Sequence, residues 1–314
     1  MQATKPKILK IPVFFDQDGS IDDLVSLITL LTLEDFKVTG IAITEANCYR
    51  KNAIESTLRI LDLFSRNDIE VSTSNATAVN HFPTKWRERS AAINNFEVLK
   101  NTNPDFSLLS NDEAADFTAK KIMNEEGKTI VISTGPATNL LNTIQKYPEV
   151  IEKIEKVYWM AGAFLSDGNV ISPDHDGSAE WNIFWDPVSA KKLIASGVKI
   201  ILFPLDICYN IPVDNYLMYY LKKNSTKKLS ALVHDMFNLT VNVHTRNYMW
   251  DVLPTMFLGF PKIGSLTNSS VDIEVRGTSV GNIFKTPQGC PIQYADSVNE
   301  EVFYKHFIRQ MKKF

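Results

Sequence analysis

ILKIPVFFDQDGSIDDLVSLITLLTL, residues 8–33, changes its periodicity in the middle. Residues 8–16 form an apolar run rich in Ile, Val and Phe, the mark of a strand buried on both faces. From residue 22 to 33 the apolar positions recur at three- and four-residue spacing behind an opening Asp, the mark of a helix. Between the two, Asp16, Asp18, Asp22 and Asp23 crowd into eight positions. Like charges this close repel, so something must hold them together, and a divalent cation is the first candidate.

The same alternation continues outward. Residues 36–44, 128–134, 156–162 and 198–206 read as further buried strands, and 52–65, 112–126 and 186–197 as helices. Residues 207–260 read as mostly helical, and VDIEVRGTSVGNIF (271–284) as a β-hairpin. This order predicts an α/β fold, a mostly parallel central sheet flanked by helices, in one domain over residues 1–314. In such a fold ligands bind at the carboxyl ends of the strands. Asp16, Thr44 to Asn47, Thr134 and Gly162 all fall at such ends.

Composition narrows the partners. The 314 residues are 44% hydrophobic and 22% charged, with a net charge of −3. No long basic run offers a surface for nucleic acid or an anionic membrane. No run approaches the ~18 apolar residues of a membrane span. The N-terminus shows no signal-peptide pattern, and Cys48, Cys208 and Cys290 have neither paired nor CxxC spacing. Both point to the cytoplasm.

The acidic cluster admits two chemistries. A strand followed by FFDQDGS resembles the first motif of the haloacid-dehalogenase-like magnesium phosphatases, with Asp16 as nucleophile and Asp18 as acid/base. That motif leaves Asp22 and Asp23 unexplained, and no later acidic pair at a strand end completes its metal site. The form D-x-D-x-x-x-D-D uses all four. Asp16 and Asp18 leave the strand on one side of the pleat, while Asp22 and Asp23 open a helix whose dipole favours negative charge. The carboxylates can then converge on one hard cation with oxygen ligands. A purely structural reading makes Asp22 a helix cap and Asp16 a buried hydrogen-bonding acid.

This form resembles the signature of the nucleoside hydrolases, which cleave the N-glycosidic bond of ribonucleosides with water. Three later segments resemble that family in the right order: STGPATNL (133–140), GNVISPDHDGSAEWNIFWDP (168–187) and WDVLPTMF (250–257). The resemblance implies a calcium site held by Asp18, Asp23, the carbonyl of Thr134, and Asp251, with Asp16 supporting the shell. It implies Asp18 as general base toward a water activated by calcium. Asp22, Asn47, Asn169, Glu180 and Asn182 would grip the ribose, whose hydroxyls need both donors and acceptors.

Tryptophans set the expected base. The pyrimidine-tolerant branch usually places a His before the late Asp, as acid for the leaving group; here Trp250 stands there. FPTKWRE (82–88) puts Trp86, and AEWN puts Trp181, where the purine-specific inosine-adenosine-guanosine-preferring branch has tryptophans. Trp86 and Trp250 would sandwich a purine and raise the basicity of its N7 for protonation by solvent. Arg246 and Tyr248 are further candidates for contact with the base. Asn47 departs from the Asp common in purine-specific relatives, and the segment before Trp250 is short for that branch. His244 is the candidate acid if uridine is the substrate; His234 reads as packing and His81 as a loop residue.

The expectation is therefore a calcium-dependent purine nucleosidase acting on inosine, guanosine and adenosine, and a homo-oligomer, with a dimer favoured. A pyrimidine-preferring or non-specific nucleoside hydrolase is the alternative within the family, and a magnesium phosphatase the alternative outside it. Retention of Asp18 argues against a binding protein that has lost catalysis.

Overall fold

A computed structural model describes residues 9–241 and 247–314. Six strands follow one another with helices between them: β1 (Ile11–Gln17), β2 (Phe36–Ile43), β3 (Val71–Thr73), β4 (Thr129–Ser133), β5 (Ile154–Met160) and β6 (Ile200–Phe203). Three more come late: β7 (Gly264–Ile273), β8 (Ile283–Lys285) and β9 (Cys290–Val298). They form one nine-stranded sheet in the order β3-β2-β1-β4-β5-β6-β9-β7-β8. All pairs from β3 to β9 in that order are parallel; β7 runs antiparallel to β8 and β9.

The sheet is covered on both faces, and the alternation along its strands shows why. Val13 and Phe15 of β1, Ile132 of β4, and Ile201 and Phe203 of β6 join one core. Phe14, Val131, Ile200 and Leu202 point the other way into a second. The helices Ile21–Leu31, Arg50–Leu63, Lys228–Val241, Val252–Gly259 and Glu300–Met311 cover the first face. The helices Ala114–Met123, Thr138–Lys146 and Pro187–Ile194 cover the second. Strands with no solvent face read as unbroken apolar runs, which is how β1, β2, β4, β5 and β6 were expected.

The expected hairpin over residues 271–284 is present as the antiparallel pairing of β7 with β8. Residues 274–282 make a turn closed by Gly281 N–H to Glu274 O (2.7 Å) and Glu274 N–H to Asn282 O (2.9 Å). That leaves β8 only three residues long. β7 has a second and longer antiparallel partner in β9, which also pairs with β6 in parallel and so joins the late strands to the rest of the sheet.

Candidate active site

The chain leaves β1 through a turn at Gly19, whose φ of +78° is left-handed. A side chain there would bring a Cβ to 2.4 Å from that of Ala53, so the turn needs glycine twice over. The turn folds the aspartates back onto the start of the next helix. Asp23 is fully buried. One of its oxygens accepts the Ser20 N–H (2.9 Å) and hydroxyl (2.6 Å), and the other accepts the Asp18 N–H (3.2 Å) and the Thr134 hydroxyl. Four donors and a helix N-terminus satisfy this charge. Thr134 arrives from the adjacent strand β4, its N–H on the carbonyl of Asp16 (2.9 Å).

Asp251, just before the helix Val252–Gly259, meets this turn from the far end of the sequence. One oxygen each from Asp22, Asp23 and Asp251 lies within 4.8 Å of the other two. The Ser20 hydroxyl also lies against Asp22, so its one proton is shared between the two carboxylates. Burial, and then the neighbouring Asp23, push Asp18 well above the usual carboxylate range and Asp22 up to about 6. Burial and the charges of Asp22, Asp23 and Asp18 raise Asp251 likewise. Asp16, beneath them, is pushed to about 7, mainly by burial. The Asn139 amide sits near enough to favour its charged form, but not in hydrogen-bonding geometry, and one Asp16 oxygen and both Asn139 polar atoms have no partner. Carboxylates crowded like this cannot all ionise without a positive charge between them.

A second group lies beyond β5. Glu180 caps the helix Trp181–Trp185 by accepting the N–H groups of Asn182 (2.8 Å) and Ile183 (3.3 Å), and it also accepts that of Gly162 (3.1 Å). Burial holds its pKa at about 7 despite these bonds. Asn182 donates to the carbonyls of Thr134 (2.9 Å) and Met160 (3.0 Å), which locks the two groups together. Asn169 receives the Trp181 N–H on its side-chain oxygen (3.0 Å) and the Trp181 indole N–H on its carbonyl (3.1 Å). The side-chain oxygen of Asn47 is buried and without a partner.

Above these polar groups opens a cavity of about 410 Å³. Asp18, Asp22, Asp251, Asn47, Thr134, Asn169, Glu180 and Asn182 line its floor and side, while Asp16 and Asp23 support it from below. Two aromatic clusters form its walls. In one, Phe82 stacks on Trp181 at 4.9 Å and Trp86 meets Trp181 edge-on at 5.7 Å. In the other, Tyr248 lies 4.8 Å from Tyr209 and 5.6 Å from Trp250. Phe82, Tyr209 and Arg89 also line the cavity and were not singled out in the sequence. Phe82 and Arg89 flank Trp86 and were open to detection there. Tyr209 was signalled only by its place beyond the carboxyl end of β6. His234 lies beside Asp235 at 3.2 Å and, like the exposed His81, is not among the lining residues. Arg246 and His244 lie outside the described residues.

The sequence and the fold place the chain among known proteins. Residues 13–305 match the family described as inosine-uridine preferring nucleoside hydrolase. A nucleoside hydrolase structure from Bacillus anthracis, titled inosine-uridine preferring, superimposes with a TM-score of 0.91 at 29% identity, covering 97% of this chain and all of that one. A rice protein named probable uridine nucleosidase 2 is 27% identical over 86% of this chain and 80% of its own length. An uncharacterised protein of Schizosaccharomyces pombe is 31% identical over 63% of this chain, and the match spans 62% of that protein. The chain belongs to the inosine-uridine preferring nucleoside hydrolase family.

Proposed function

We propose that this protein is a calcium-dependent purine ribonucleoside hydrolase, releasing free purine and ribose for salvage. The observation that carries the reading is the cavity itself, a floor of buried carboxylates between two aromatic walls. An all-oxygen donor set suits a hard cation. Asp18, Asp23, Asp251 and the carbonyl of Thr134 would hold it, and Asp22, expected on the ribose side, is close enough to Asp23 and Asp251 to join them. The raised pKa values and the unpartnered oxygens of Asp16 and Asn47 support the fit, because each marks polar capacity that the protein leaves unmet. When bound, calcium supplies charge that lowers the pKa of an attacking water.

The residues divide the remaining work. Asp18 takes the proton from water as its oxygen attacks C1′. Asn169, Glu180 and Asn182 hold the ribose hydroxyls, and Asn47 offers its free acceptor beside them. Trp86 and Trp250 stack on the base and keep water from it, with Tyr248 next to Trp250. Unpaired cysteines fit a reducing compartment, so we read the enzyme as cytoplasmic.

A pyrimidine-preferring enzyme is the second reading, favoured by the rice relative's name. A panel of inosine, guanosine, adenosine, uridine and cytidine, assayed for reducing sugar with calcium, separates the two. Purine cleavage at least ~100-fold faster than uridine is the expected result; faster uridine cleavage overturns the purine assignment.

A further inference from the structure

The wall of the cavity at Trp86 stands on a short support. The helix Thr84–Ala91 has eight residues, and of these Ser90 alone is buried. A helix this short takes its position from what it packs against, and little apolar surface is available here to set it. Trp86 meets Phe82 and Trp181 with ring centres 6.3 and 5.7 Å apart, one pair tilted and the other edge-on.

The next residue adds a charged link. The Arg87 guanidinium lies 2.7 Å from one oxygen of Glu45 and 4.3 Å above the Tyr49 ring. The other Glu45 oxygen draws Arg50 to 3.5 Å, and Arg50 donates to the carbonyl of Ser74 (3.1 Å). One carboxylate thus gathers the ends of β2 and β3 and the helix that carries the indole. The Arg87 side chain is 17% exposed and that of Glu45 34%. Water screens such a pair only in part, so this charge-assisted hydrogen bond holds more firmly than an ordinary surface pair. Glu45 also stands two residues before Asn47, which lines the same cavity.

We infer that Glu45 and Arg87 are positioning residues for the base: their ion pair sets how far Trp86 stands from the loop that carries Asn47, and so the width of the slot the base enters. Neither side chain lines the cavity, so both act through Trp86. This rests on the reading of Trp86 as a base-stacking wall. Stacking falls off steeply with distance, because a gap of about 0.5–1 Å already forfeits a quarter to a half of the contact energy. Breaking the pair leaves Asp18 and the carboxylate floor in place. Its effect therefore falls on binding of the base rather than on proton transfer.

The test is a double-mutant cycle on the calcium-loaded protein, after circular dichroism confirms folding. KM and kcat for inosine are measured for wild type, Glu45→Gln, Arg87→Gln, Trp86→Ala, and Arg87→Gln combined with Trp86→Ala. Glu45→Gln and Arg87→Gln should each raise KM about 3- to 30-fold, part of what one stacked base contributes, with kcat changed less than ~3-fold. In the Trp86→Ala background Arg87→Gln should change KM less than ~2-fold, because residues that act through one another do not add. Arg87→Lys keeps the charge and should recover part of the loss; it replaces Arg87→Gln if that variant does not fold. Equal losses with and without Trp86, no loss, or a loss in kcat alone overturns the positioning role and leaves the base wall standing. A wild-type KM in Trp86→Ala overturns the wall and the positioning role together. A wild type that cleaves uridine and not inosine overturns the purine reading, and the same cycle run on uridine then decides the positioning role.

Discussion

Replacing Asp22 by Asn should stabilise the metal-free protein and destabilise the calcium-loaded one. Burial and Asp23 raise Asp22 from 3.8 to about 6. Because its folded pKa is raised, the fold holds a proton that the unfolded chain has released between those values. The stability is therefore present below about pH 4 and lost as pH rises through about 6. Two pH units correspond to about 3 kcal/mol. Asp22 also opens onto the cavity, where water screens it, so about 1–2 kcal/mol is the expected gain at pH 8. A chain of this length gains about 0.7 kcal/mol/K of entropy on unfolding at its midpoint, so 1 kcal/mol moves Tm by about 1.5 °C. Asp22→Asn should therefore melt about 1.5–3 °C above wild type with chelator at pH 8, and level with it near pH 3.5. Calcium at ~100 times its Kd should raise wild type by about 4 °C and the variant far less, reversing their order. Differential scanning fluorimetry over both pH values, with chelator or calcium, reads this directly. A variant that melts below wild type in chelator at pH 8, or an equal calcium shift in both, refutes the reasoning.

Three further outcomes follow from the same structure. Asp18→Asn should lower kcat about 10²- to 10⁴-fold with KM within ~3-fold of wild type; steady-state kinetics on inosine checks it, and a pure KM effect contradicts the base assignment. Trp86→Ala and Trp250→Ala should each weaken inosine binding about 5- to 100-fold, the worth of one stacked base, read by quenching of tryptophan fluorescence at equilibrium. Leu27→Ala empties a fully buried position on the helix behind the site and should cost about 2–5 kcal/mol, seen as a Tm lowered by roughly 3–7 °C with kcat on inosine unchanged.

The parts legible in the sequence are those whose physics is local. β1, β4, β5 and β6 are buried on both faces and announce themselves as apolar runs. The four aspartates sit in one turn, so their convergence follows from strand pleat and helix start. β3 was missed because three residues, Val71–Thr73, carry too little period to recognise. β9 was missed because Gln293, Asp296 and Ser297 interrupt its apolar pattern where the sheet turns toward solvent. The meeting of Asp251 with Asp23 was expected from family resemblance alone, since nothing local to residue 251 points to residue 23, and Asp22, expected on the ribose side, lies within reach of both. Tyr209 against Tyr248 is likewise a contact between distant segments, held together by the antiparallel bridge of Pro212 with Tyr248.

Under the function proposed above, water attacks C1′ of a purine nucleoside. Inosine incubated with the calcium-loaded enzyme in ¹⁸O-enriched water, with products analysed by mass spectrometry, tests it most directly. The expected result is equimolar hypoxanthine and ribose, with one ¹⁸O on the ribose and none on the base. Absence of ribose, or ribose released without solvent oxygen at C1′, would contradict it.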